Sequence, residues 1–179
     1  MAVRYEDRFL MMADSIALAG YSHYDGSPKL WSQYGWLIGH TGMTCETYDY
    51  WRGMEGQNLT DPGVHTARLK LCREHLEEGG KFESSFLIAR GSEAYCINQS
   101  GNMWPVGGRW ESIGIGEPLV TYFMKRELPV MRVIDEPSLL ALGQRVLEAV
   151  CDISVGVRLP LIWAWSDTQQ VQEYHPDAP

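Results

Sequence analysis

Four places in this sequence carry groups suited to polar chemistry. Asp14 closes an apolar run, Phe9-Leu10-Met11-Met12-Ala13, and Lys29 follows Ser27-Pro28. A glycine-bounded segment, Gly39-His40-Thr41-Gly42, leads into a helical pattern, and Asp152 sits near the end of a later one. A carboxylate and an ammonium brought together fix each other's charge. Backbone N–H groups at a helix start point outward and suit an anion. Each residue also has an ordinary reading: aspartate is a common turn residue, and lysine on an edge strand deters aggregation. Candidate nucleophiles nearby are Ser15, Thr41 and Cys45. His40 is the one histidine close to them in sequence, and neighbours on a strand face opposite ways, which disfavours a His40–Thr41 pair.

The elements that must position these groups form a chain of 179 residues, enough for one domain with a sizeable core. Apolar residues make up 45% and charged residues 21%, a globular composition. A net charge of −8 argues against a nucleic-acid footprint and against an acidic membrane surface. No stretch has the length of a membrane span, and no signal-peptide h-region opens the chain, so a cytoplasmic location is expected. Cys45, Cys72, Cys96 and Cys151 have no CxxC spacing and read as reduced thiols, with no metal centre or cofactor expected. Met1 precedes a small residue, and its removal is expected.

Residues 2–6 and 8–13 read as paired strands and 29–33 with 35–40 as a hairpin. Helices are expected over 43–54, 61–78, 117–127 and 136–150. Asp61-Pro62 and Asp135-Glu136-Pro137 give two of them start signals. Short strands are expected near 84–90, 93–98, 102–106 and 110–114, and a last one over 159–165. Helix pairs alternating with strand groups predict an α+β layered domain over 1–165, followed by a polar tail over 166–179, mobile or a docking strand.

Five pieces stand in a telling order: Met12-Ala13-Asp14-Ser15, Ser27-Pro28-Lys29-Leu30, Gly39-His40-Thr41-Gly42, Ser112-Ile113-Gly114-Ile115-Gly116 and Cys151-Asp152-Ile153-Ser154-Val155-Gly156. This order resembles the proteasome β-subunit and HslV-type N-terminal-nucleophile (Ntn) hydrolases. The resemblance implies a four-layer αββα sandwich, assembly into rings and, for HslV-type proteins, an AAA+ unfoldase partner. It implies a nucleophile at the mature N-terminus, whose free amine is the base. By the same resemblance Ala2 occupies the nucleophile position, Asp14 and Lys29 are the family's aspartate and lysine, Gly42 supplies the oxyanion N–H, and Asp152 is the second aspartate.

The departures are as informative. Ala2 has no heteroatom, so no acyl-enzyme can form on it. Ile115 and Val155 stand where the family carries serines, which predicts a dry, degenerate pocket. The cluster Tyr48, Tyr50 and Trp51 on the first helix reads as an assembly surface. Two function classes follow: a non-catalytic ring or scaffold protein on this fold, or a threonine-type peptidase whose nucleophile has been replaced.

Overall fold

The computed structural model describes residues 1–14, 17–19, 22–24, 29–75, 81–132, 134–154 and 161–174. Strands β1 (Ala2–Tyr5) and β2 (Arg8–Asp14) form a hairpin around Glu6-Asp7, with Glu6 in the left-handed region at φ 52°. Short strands β3 (Ala17–Ala19) and β4 (Ser22–Tyr24) pair with each other. Then follow β5 (Leu30–Gln33), β6 (Trp36–Thr41), α1 (Thr44–Arg52), α2 (Pro62–His75), β7 (Ser85–Arg90), β8 (Glu93–Ile97), β9 (Met103–Pro105) and β10 (Trp110–Glu111). The chain continues through α3 (Glu117–Glu127), a 3-10 turn at Leu128–Val130, α4 (Glu136–Ile153), β11 (Leu161–Trp165) and β12 (Gln172–Tyr174).

Two five-stranded antiparallel sheets result, in the orders β10-β1-β2-β11-β12 and β5-β6-β7-β8-β9. Strand alternation divides the apolar residues between three cores. On β1 and β2, Ala2, Phe9 and Met11 point inward and meet Leu30, Leu37, Leu87 and Cys96 of the second sheet. Val3, Leu10 and Met12 point outward and pack under Val120 and Met124 of α3 and Leu142 and Val146 of α4. On the far side, Trp36, Ile38, Phe86 and Ile88 pack under α1 and α2. The layers are therefore helix, sheet, sheet, helix: the expected α+β αββα sandwich.

The helix starts obey their signals. Asp135 accepts from Ser138 N at 2.8 Å, and Asp61 accepts from Gly63 N at 2.8 Å. The end of the second predicted helix, the strand start at 159–160 and the residues Ser15, Ser27, Pro28, Val155 and Gly156 lie outside the described residues. One expectation is corrected. The expected strand over 110–114 pairs only at Trp110–Glu111, because Gly114 turns the chain at φ 100°. The tail, expected to be mobile or a docking strand, is in part a strand: β12 pairs with β11, and Gln169 Nε2 donates to Gly35 O at 2.7 Å.

Candidate functional site

The hairpin register decides what the site contains. Ala2 lies opposite Met11, and the ladder continues one pair further. Met1 N donates to Met12 O at 2.7 Å, and Met12 N donates to Met1 O at 2.9 Å. Asp14, at the end of β2, therefore stands beyond the end of β1 and in the ladder pairs only with Leu161 of β11. Lys29, at the start of the β5 run, reaches it: Nζ donates to Asp14 Oδ2 at 2.7 Å. The pair lines a cavity of ≈ 70 Å³ with Met1, Gly39, Thr41 and the segment Ser112–Gly116.

Burial lowers the pKa of the Met1 amine to about 6, and the Asp14 carboxylate is the largest charge opposing that shift. This backbone nitrogen is the group that faces the Asp14–Lys29 pair. Ala2 stands apart from it. Its side chain is 1% exposed in the core between the sheets and does not line the cavity. A hydroxyl on residue 2 would meet Phe9, Met11 and Leu87, and not the carboxylate–lysine pair.

Gly42 follows β6 with φ 106°, and a Cβ there would stand 2.5 Å from the Ser84 Cα. Only glycine suits this close approach. It lines a second cavity, which shares Thr41 and Ser112–Ile115 with the first. Glu46 holds the same corner from α1, accepting from Glu83 N, Ser84 N and Ser84 Oγ at 2.9, 3.1 and 3.0 Å. Asp152 is exposed in the last turn of α4, lines neither cavity, and makes no hydrogen bond or ion pair with any described residue. The structure thus brings Asp14 and Lys29 together, places Gly42 in the adjoining cavity, and has Ala2 and Asp152 line neither.

Of the other nucleophile candidates, Thr41 and Cys45 have no histidine hydrogen bond among the described residues. His40 Nδ1 pairs with Thr47 Oγ1 at 3.0 Å, not with Thr41 or Cys45. Burial, and then the Lys29 charge, lower its pKa to about 4, so it is neutral at pH 7. Burial pushes the Cys96 thiol up to about 12 and Cys151 up to about 11, which holds both protonated. Ser112 is the polar residue that sequence reasoning passed over. Its Oγ is buried and has no hydrogen-bond partner among the described residues. Its place in the motif before Gly114 was visible, but burial without a partner is a three-dimensional property.

Two readings of bulk are corrected. Ile115 is 75% exposed and lines both cavities at their open side, so it is not buried in the pocket as its aliphatic side chain suggested. Of the three aromatic residues on α1 only Tyr48 is exposed. Tyr50 and Trp51 are buried among Phe82, Phe86 and His65, because both fall on the sheet-facing side of the helix.

At the sequence level, neither family models nor curated proteins match this chain. Solved structures do. Anbu (ancestral β-subunit) from Yersinia bercovieri superposes with TM-score 0.77 at 15% identity, covering 98% of this chain and 86% of that one. HslV from Trypanosoma brucei gives TM-score 0.71 at 16% identity, covering 92% and 96%. The helical assembly of the Anbu complex from Pseudomonas aeruginosa gives TM-score 0.75 at 14% identity, covering 99% and 86%. The chain therefore has the proteasome-like Ntn-hydrolase fold of the Anbu and HslV proteins.

Proposed function

We propose that this chain is a self-assembling subunit on the proteasome-like fold, acting as a ring or scaffold component and not hydrolysing peptides through residue 2. One observation carries the reading: the Ala2 side chain has no heteroatom and is packed between the sheets, out of reach of Asp14 and Lys29. Without an oxygen there, the lysine and the Gly42 amide have no alkoxide or tetrahedral intermediate to stabilise. Support for assembly comes from the P. aeruginosa Anbu neighbour, which forms a helical assembly, and from exposed apolar side chains on both helical layers: Tyr48 and Leu71 on one, Tyr122 and Ile153 on the other. An AAA+ unfoldase or another protein is the partner class that fits, in the cytoplasm. No described helix is long and apolar enough to cross a membrane.

A second reading, a threonine-type peptidase with its nucleophile replaced, is favoured by the Asp14–Lys29 pair at 2.7 Å facing a backbone nitrogen. Light scattering at micromolar concentration, run beside a fluorogenic-peptide assay and epoxyketone labelling, separates the two. The scaffold reading expects a particle of several 20.3 kDa subunits with neither turnover nor label. A monomer defeats the assembly claim, and turnover that epoxyketone labelling abolishes in an Ala2→Thr variant establishes the replaced-nucleophile peptidase.

A further inference from the structure

The chain between β11 and β12 ties the two sheets together at two points of very different character. Ser166 is fully buried and bonded on both sides. Its Oγ accepts from Phe9 N at 2.8 Å and donates to Gly91 O at 2.7 Å, while its own N donates to Phe9 O at 2.9 Å and its O accepts from Gly91 N at 3.2 Å. Phe9 belongs to the first sheet and Gly91 to the β7–β8 turn of the second. Three residues on, Gln169 reaches the β5–β6 turn instead. Its Oε1 accepts from Ser32 Oγ at 2.8 Å and its Nε2 donates to Gly35 O at 2.7 Å. Both bonds are solvent-exposed, and Gln169 is held in the left-handed region at φ 56°, which disfavours a side chain with a Cβ. The turn it grips is one wall of a third cavity, of ≈ 610 Å³. Ser32, Gln33 and Tyr34 stand on that side, and Thr47, Tyr48 and Trp51 of α1 stand on the other. Tyr34 OH spans the two walls, donating to Trp51 O at 3.3 Å. Because β5 is an edge strand, no further strand holds this wall in place.

We propose that Gln169 is a latch on this cavity: it releases and re-forms while Ser166 stays bonded, and its release lets the β5–β6 turn swing away from α1 and admit an apolar guest between them. The asymmetry of the two ties carries the inference. Exposed hydrogen bonds and a left-handed backbone place Gln169 at the low-stability end of the structure, whereas the four bonds of Ser166 belong to the core. The latch also has a fixed seat to return to, since β11 on one side of it and β12 on the other are paired to each other. Once Gln169 lets go, the Tyr34–Trp51 bond is what still joins the turn to α1. The device uses neither residue 2 nor the Asp14–Lys29 pair, and so is independent of the scaffold and peptidase readings.

The test pairs amide hydrogen exchange with dye binding on the full-length chain. Gln169→Gly removes both side-chain bonds and suits the left-handed backbone, so the fold is kept. Exchange is expected to speed about tenfold in the peptide covering residues 31–36, the loss of two exposed hydrogen bonds, and to stay unchanged in peptides from β2, β7 and β8. The dye 1-anilinonaphthalene-8-sulfonate serves as the apolar guest. A guest that enters only the open form gains apparent affinity in proportion to the open fraction, so its binding is expected to tighten by the same factor of about ten. Tyr34→Phe removes the bond across the cavity and is expected to raise both readouts further in the Gln169→Gly background. Gln169→Asn tolerates the left-handed region but is too short to reach the turn, and it takes the place of Gln169→Gly if that variant does not fold. Unchanged exchange at 31–36 overturns the latch, and so does exchange that speeds equally in every peptide, because the two ties then open as one. Faster exchange at the turn with unchanged dye affinity overturns the gating of the cavity.

Discussion

Replacing Ala2 by threonine puts the family's nucleophile type at a position from which it cannot act, and the structure sets the cost. The Ala2 side chain is 1% exposed among Phe9, Met11, Leu37, Leu87 and Ile162, and its backbone is held on both sides by Glu111 of β10 and Met11 of β2. Threonine adds two heavy atoms where there is no void to take them, an overpacking cost of about 1–3 kcal/mol. Its hydroxyl enters a cluster without polar side chains, which adds about 1–3 kcal/mol if it stays unpaired. Ala2→Thr is therefore expected to lose about 2–6 kcal/mol in all. Ala2→Val has nearly the same shape without the oxygen, and the gap between the two variants isolates the hydroxyl. Urea unfolding followed by tryptophan fluorescence measures both, with an unchanged m-value showing that the comparison is sound. Neither variant should hydrolyse fluorogenic peptides. A threonine variant as stable as the parent and active on peptides would refute the register on which this reasoning depends.

Two further outcomes follow from buried polar groups near the site. The His40 imidazole has a folded pKa of about 4 against 6.5 unfolded, so between those values the unfolded chain binds the extra proton. Stability should rise with pH across about 4 to 6.5 and fall by about 3 kcal/mol on acidification through that window. His65, also lowered by burial, acts in the same direction, so the check is the loss of part of this slope in His40→Asn during urea titrations at stepped pH. Glu46→Ala should cost about 3–5 kcal/mol, since it strips the acceptor from Glu83 N, Ser84 N and Ser84 Oγ at a buried corner. Thermal or urea denaturation reads that loss, and Glu46→Gln should recover part of it.

Much of the layout was legible because local signals and burial agree. The run Phe9–Ala13 ends at a carboxylate, and Asp61-Pro62 and Asp135-Glu136-Pro137 open helices where they should. Register was not legible. It depends on the hairpin turning at Glu6-Asp7, and a shift of one residue moves every side chain to the other face. That is why Ala2 could be aligned with a nucleophile in sequence and still point between the sheets. The aromatic run on α1 misled for a related reason. Tyr48, Tyr50 and Trp51 are adjacent in sequence but about 100° apart per residue around the helix, so two are buried while one is exposed. The order of Ser112, Gly114 and Gly116 was visible as a motif, but the orphaned hydroxyl and the second cavity depend on which side chains converge from β8, β9, β10 and α3.

The Asp14–Lys29 pair is the part of the site that resists the scaffold reading, and its geometry limits what it can mean. Both side chains are largely buried, 13% and 19% exposed, so each loses hydration that its partner only partly returns. An ion pair placed there for stability alone could be replaced by apolar residues at little cost, since such swaps are often neutral or better. The pair instead lines an open cavity and faces a backbone nitrogen whose proton affinity burial has lowered. Each step along β2 from Met11 is one step back along β1 from Ala2, so the position opposite Asp14 lies two residues ahead of Met1. The charges are therefore aligned on a point beyond the end of β1 and not on residue 2.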